Sequence, residues 1–170
     1  MLLIPAGEPP HKRIDPEPGP DVRLEMTRLA AEGNERLAVS DVEVRREGPS
    51  YTFRTLEILS EERPDDQFFF LMGADAAKGL ESWREPRRVL ELARIAMAGR
   101  PGIALEEAEA ALERLGHPGE YELIHMPELG VSSTAIRRRV AEGRPIRYLV
   151  TEPVRRLIAE RGLYKEAVHV

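Results

Sequence analysis

The residues best suited to chemistry run from Gly130 to Arg139, Gly-Val-Ser-Ser-Thr-Ala-Ile-Arg-Arg-Arg. A glycine and three hydroxyl residues lead into a segment that carries arginine one helical turn in. The first N–H groups of a helix have no intrahelical acceptor, and the helix dipole favours an anion there. Ser133 and Arg137 are four residues apart and share a helix face. Arg137 can fork two hydrogen bonds onto phosphate oxygens. A capped surface helix with solvated arginines uses the same residue types, because Ser and Thr cap many helices that bind nothing. The rest of the chain has to decide between the two.

The elements that would position this stretch alternate along the chain. Met1–Ile4 is a short apolar run stopped by Pro5, read as a strand. Asp21 is placed to cap a helix from Val22 to Glu32, with Gly33 as its stop. Leu37–Arg45 alternates as a strand does. Thr52 to Glu62 repeats apolar residues at helical spacing, with Phe53, Leu56 and Leu59 on one face. Phe68–Met72 is continuously apolar, as expected of a strand covered on both sides. A helix surrounds Glu85–Leu92, Ile95–Ala98 reads as a buried strand, and Leu105–Leu115 as a helix. Tyr121–Met126 fits a last strand, followed by the Gly130–Arg139 stretch and its helix, with Ile136 and Val140 inward and Gly143 ending it, and a final helix capped by Thr151. Strand-helix alternation of this kind implies an α/β domain with a mostly parallel sheet and helices on both faces. Ligands in such sheets bind outside the carboxyl ends of the strands.

Bulk composition narrows the chemistry. At 170 residues, 42% hydrophobic and 32% charged, the chain is expected to form one domain with a real core. A net charge of −5 gives no global basic field for nucleic acid. The absence of cysteine excludes disulfides and thiolate metal sites and fits a cytoplasmic protein. No apolar run is long enough to span a bilayer. The Gly-x-x-x-x-Gly-Lys-Ser/Thr and Gly-x-Gly-x-x-Gly patterns are missing, as is His-Glu-x-x-His. Gly130-Val131-Ser132 lacks the second glycine of a nucleophile elbow. What remains is a set of phosphate-friendly loops, suited to phosphoryl or nucleotidyl transfer, where catalysis is largely positioning and charge stabilisation.

Four segments, taken with Tyr148-Leu149-Val150 and Leu163-Tyr164, resemble the bacterial nicotinate-nucleotide adenylyltransferases. They are Ile4-Pro5-Ala6-Gly7-Glu8-Pro9-Pro10-His11-Lys12, Glu43–Thr52 with its Gly-Pro-Ser-Tyr-Thr ending, Gly73-Ala74-Asp75 with Trp83, and Val131–Arg137. The resemblance covers nearly the whole chain, in order. It implies a Rossmann-like nucleotidylyltransferase fold and a reaction: ATP and nicotinate mononucleotide give deamido-NAD and pyrophosphate, with Mg²⁺. By similarity, Ser132, Ser133, Thr134 and Arg137 would hold the ATP phosphates. Lys12, with His11 beside it, would meet phosphate at the mouth of the site, and Arg137 and Lys12 would be the catalytic cations. Asp75 would anchor a nucleotide through ribose hydroxyls, Trp83 would stack on the pyridine ring, and the Tyr51-Thr52 backbone would receive the nicotinate carboxylate. No metal held by protein side chains, no nucleic acid and no membrane partner is implied, and a homo-oligomer is left open.

Each role has a plainer counterpart. Trp83 is also suited to partial core, Asp75 and Thr52 to helix capping, and Lys12 to a solvated pair with Arg13. The family also has a glycine-rich Gly-Gly-Ser/Thr-Phe-Asp-Pro turn and a His-x-Gly-His helix start, whose histidines are expected to steady the transferring phosphate. This sequence contains neither and begins where the family's second strand would be. The expectation is therefore a single domain over 1–170, amino-terminally truncated, with its first central strand missing and with its transfer activity in question. Two alternatives follow: another adenylyltransferase of the same fold, acting on nicotinamide mononucleotide or pantetheine phosphate, and an inactive nucleotide-binding module.

Overall fold

The computed structural model describes residues 1–10, 18–99, 105–117, 121–127 and 130–165. Contacts group the chain into two compact units, Met1–Ser50 with Gly130–Val170, and Tyr51–Leu129.

In the first unit, β1 (Leu2–Leu3) pairs in parallel with β2 (Ala38–Val39), Leu2 opposite Ala38 and Leu3 opposite Val39. Helix α1 (Pro20–Ala31) begins after Gly19, whose φ of 83° suits glycine, and Pro20 takes the first helical position, where its missing N–H costs nothing. Asp21 was expected to be the cap; it lies instead in the first turn, where its charge complements the dipole. The strand expected over Leu37–Arg45 stops at Val39. Ser40 Oγ accepts the Val42 N–H at 3.3 Å, and Arg45 N–H closes a turn onto the Asp41 carbonyl at 2.9 Å. Local side-chain bonding of this kind gives the backbone an alternative to a sheet ladder. Helices α6 (Ser133–Ala141) and α7 (Glu152–Glu160) complete the unit. Ile146, Val154 and Ile158 form its buried centre, and Met26 and Leu29 of α1 and Ile136 and Val140 of α6 pack on it.

The second unit runs α2 (Thr52–Glu62), β3 (Phe68–Gly73), α3 (Ala74–Lys78), a 3-10 turn (Leu80–Ser82), α4 (Pro86–Leu92), β4 (Ala93–Gly99), α5 (Glu106–Arg114) and β5 (Tyr121–His125). The strands lie in the order β3-β4-β5, all parallel. Their register brings the carboxyl ends level, with Gly73 opposite Ala98 and Gly99 opposite His125. Among the described residues every pairing of named strands is parallel, in line with the α/β expectation.

One face of this sheet carries the core. Met72, Ile95 and Met97 pack with Leu80 of the 3-10 turn and with Ala108 and Leu112 of α5. Leu80, Ile95, Met97, Leu112 and Val89 are fully buried. Each contributes about 1.5–3 kcal/mol by leaving water. Leu56 of α2 meets Val89 of α4 and Ala93 beside Phe68 and Phe70. The Phe68–Met72 run is not covered on both sides: Phe69 and Leu71 are 48% and 44% exposed. Period-two alternation puts them on the opposite face from Phe68, Phe70 and Met72.

Candidate functional site

In the first unit the site is built on the start of α6. Ser132 is its N-cap, with extended backbone (φ −130°, ψ 152°), and its Oγ accepts the Ala135 N–H at 3.1 Å. The Ser132 carbonyl accepts the Ile136 N–H at 3.0 Å. That leaves the Ser133 and Thr134 N–H groups without an acceptor among the described residues, as expected for the first positions of a helix. Ser132, Ser133 and Thr134 are all exposed.

Three consecutive arginines follow, and the helix sends them to different tasks. Arg137 lies over the first turn, where its Nη2 donates to Thr134 Oγ1 at 3.3 Å. Its Nε is buried and has no hydrogen-bond partner among the described residues. Arg138 is exposed. Arg139 turns the other way and donates twice to the Pro145 carbonyl, from Nε at 3.0 Å and Nη2 at 2.8 Å, latching the chain that follows α6. The structure therefore brings Ser132, Ser133, Thr134 and Arg137 together on one helix start, as the sequence predicts. An anion there would meet two free backbone donors, a hydroxyl pair and a guanidinium whose Nε lacks a partner. His11 and Lys12 lie outside the described residues.

In the second unit, Tyr51 and Thr52 open α2. Its residue type suits Thr52 to capping, but Tyr51 holds the N-cap position and no side chain caps the helix. The Tyr51 carbonyl accepts the Arg54 and Thr55 N–H groups at 3.1 and 3.3 Å. The Thr52 and Phe53 N–H groups are left without an acceptor among the described residues. The Tyr51 ring stacks on Phe53, with centroids 6.1 Å apart.

Asp75 sits just beyond the carboxyl end of β3, exposed. Capping is not its role either, since Gly73 is the N-cap of α3 and no side chain bonds to that start. Lys78, one turn on, pairs with Glu107, and that hydrogen bond holds its ammonium above the usual range, with Asp75 adding a smaller attraction. The Asp75 carboxylate thus has a cation nearby but makes no hydrogen bond among the described residues. Trp83 follows the 3-10 turn, partly buried against the core, its ring edge-on to Phe70 at 5.9 Å. Partial core is therefore one role that this side chain has.

Among the described residues no group of three His, Asp or Glu side chains converges as a metal site. No helix of the described residues is long and apolar enough to cross a membrane.

Two residues to which the sequence assigns no role of their own hold the loop after β1: Ser50, only 8% exposed and part of the Gly-Pro-Ser-Tyr-Thr segment, and Arg23 on α1. Their partners are 43 and 16 residues away, so no local pattern could have found them.

The family model for cytidylyltransferase-like proteins matches residues 1–139. A protein of Thermomicrobium roseum bearing the name "Probable nicotinate-nucleotide adenylyltransferase" is 42% identical over 165 residues, covering 97% of this chain and 77% of that protein. A Roseiflexus protein of the same name is also 42% identical, covering 97% of this chain and 82% of its own length. Among solved structures, the Plasmodium falciparum nicotinic acid mononucleotide adenylyltransferase complexed with NaAD superposes with a TM-score of 0.75 at 18% identity. That match covers 96% of this chain and 82% of that one. At that identity the likeness carries the fold alone.

Proposed function

The chain belongs to the nicotinate-nucleotide adenylyltransferase family, and from that membership we propose that it transfers the adenylyl group of ATP to nicotinate mononucleotide in NAD biosynthesis. A phosphate oxygen of the mononucleotide attacks the α-phosphorus of ATP. The bond from that phosphorus to the bridging oxygen of the β-phosphate breaks, and pyrophosphate leaves with the electron pair. The products are deamido-NAD and pyrophosphate. Magnesium enters bound to the ATP phosphates, as part of the substrate. We place the reaction in the cytoplasm.

The observation that carries this reading is the α6 start. Among the described residues, two N–H groups and the buried Nε of Arg137 have nothing to donate to, and all lie on the first turn and a half of one helix. Donors held ready in this way stabilise developing charge without reorganising during the reaction. Ser132, Ser133, Thr134 and Arg137 hold the ATP phosphates. Lys12, with His11, meets phosphate as the second catalytic cation. The uncapped start of α2 at Tyr51-Thr52 supports the carboxylate role, because a carboxylate there satisfies N–H groups that otherwise have no acceptor. Asp75 anchors ribose hydroxyls, and Trp83 stacks on the pyridine ring.

The test is pyrophosphate release by the 170-residue chain. Release should require ATP and nicotinate mononucleotide together, and should fall by about tenfold or more with nicotinamide mononucleotide, whose neutral amide brings no negative charge to the helix start and turns N–H donors of its own towards the N–H groups there. Equal rates with the two mononucleotides, or release from ATP alone, would count against the proposal.

A further inference from the structure

The sheet of the second unit is clothed on one side only. Helices α2, α3, α4 and α5 all meet the face that carries Phe70 and Met72 of β3, Ala93, Ile95 and Met97 of β4, and Tyr121 of β5. Alternation sends Phe69, Leu71, Arg94, Ala96, Glu122 and Ile124 to the other face. There Phe69, Leu71 and Ile124 are between 40% and 48% exposed, and they belong to none of the buried clusters of the described residues. An all-parallel sheet is as a rule covered on both faces. A bare apolar face rimmed by polar residues marks a surface where something docks.

Two charges on this face say what docks. Arg94 and Glu122 are both exposed, and neither makes an ion pair or a hydrogen bond among the described residues. The strand register fixes their places. Phe69 stands beside Arg94; Leu71, Ala96 and Glu122 form the next row; Gly73, Ala98 and Ile124 form the row after that. Strands lie about 4.8 Å apart, and same-face residues follow each other at about 6.6 Å along a strand. Take a two-fold axis parallel to the sheet, midway between Arg94 and Glu122 and perpendicular to the line that joins them. It sets Arg94 of each copy over Glu122 of the other. On the same lattice it brings Phe69 within about 3 Å of lying over Ile124 of the second copy, and Leu71 within about 3 Å of lying over its own twin. Opposite charges meet, apolar residues meet, and among these residues no like charges are opposed. Self-complementarity of this kind is what an isologous dimer requires.

We propose that this face seats a second copy of this chain, face to face about that two-fold axis. Stacked sheets stand about 10 Å apart, a gap that the long side chains of an Arg94–Glu122 pair span together. The patch is three strands wide and three rows long, smaller than a standard interface, so the association is concentration-dependent and not obligate. It is independent of the reaction proposed above.

Sedimentation velocity of the 170-residue chain from about 1 μM to about 1 mM should show a monomer passing into a dimer. Arg94→Glu and Glu122→Arg each set like charges face to face twice, and each should weaken the dimer about tenfold or more. The double variant Arg94→Glu/Glu122→Arg makes the same pairs in reverse and should return to within about threefold of wild type. Both positions are exposed, and circular dichroism checks that each variant is folded. A second readout needs neither reversal. The chain has no cysteine, so Leu71→Cys supplies a single thiol that should join two copies through a short bis-maleimide, while Glu62→Cys, at the exposed end of α2, should not. A monomer up to about 1 mM, as for a face that seats a different protein, overturns the proposal. So does a dimer that the single reversals leave unchanged or the double reversal fails to restore, and so does equal cross-linking from positions 71 and 62.

Discussion

Ser132 has two demands on it, and one substitution separates them. Its Oγ caps α6 by accepting the Ala135 N–H at 3.1 Å, and it stands at the proposed phosphate site. Ser132→Asp keeps the cap, since Asp and Ser are equally good N-caps and a carboxylate suits the helix dipole. Stability should therefore stay within about 0.5 kcal/mol of wild type, or rise slightly. Ser132→Ala loses the cap and should cost about 1 kcal/mol. Affinity for ATP should move the opposite way. A carboxylate about 4 Å from a phosphate oxygen repels it by about 1 kcal/mol in water-like surroundings and about 4 kcal/mol at an effective dielectric of 20. The exposed start of α6 lies between these limits, so Ser132→Asp should weaken ATP binding by a factor from about five to about a thousand. Urea unfolding measures the first quantity and titration calorimetry with Mg-ATP the second. A Ser132→Asp chain that is stable and binds ATP as wild type does would refute the phosphate site, and leave α6 an ordinary capped helix.

Leu112→Ala, at a fully buried position of α5, should cost about 2–5 kcal/mol in urea unfolding, because the cavity adds to the lost burial. Leu71→Thr, on the exposed face of β3, should stay within about 1 kcal/mol by the same assay, as an exposed strand position tolerates a β-branched polar residue. The Glu152 carboxyl is held at about 2 instead of 4.5, first by its hydrogen bond from Arg155. Its contribution to stability is therefore present above pH 4.5 and is lost as pH falls towards 2. Glu152→Gln should flatten that part of the acid-unfolding curve and leave the curve near neutral pH unchanged in slope.

The long helices were legible because their signals are local. Thr52–Glu62 repeats apolar residues every three or four positions and ends at a proline, and α2 has those bounds. The α6 start was legible for the same reason, as hydroxyl residues and arginine stand within one turn of each other. Where the reading failed, turn chemistry or tertiary context had the final say. Val42 and Val44 continue a strand-like alternation, but Ser40 and Asp41 bond to their neighbours and fold that segment into turns. Phe68–Met72 looks like a strand buried on both faces because Phe69 and Leu71 are apolar, and nothing within the run tells which of its residues stay exposed. The Ser50 and Arg23 clasp could not be seen at all, since it joins segments far apart in sequence. A serine two residues after a glycine reads as loop wherever it occurs.

We propose that Arg137, alone among three adjacent arginines, serves the phosphates. Its Nη2 lies on Thr134 and its Nε is buried without a partner, while Arg138 is exposed and Arg139 is committed to the Pro145 carbonyl. The direct measurement is pyrophosphate release from ATP and nicotinate mononucleotide by Arg137→Ala and Arg138→Ala, side by side. Arg137→Ala should lower kcat/KM by about a hundredfold to a thousandfold with its melting temperature unchanged, as for removal of a single preorganised donor, and Arg138→Ala should stay within about twofold of wild type. Equal losses in the two variants, or a wild-type rate from Arg137→Ala, would contradict the account.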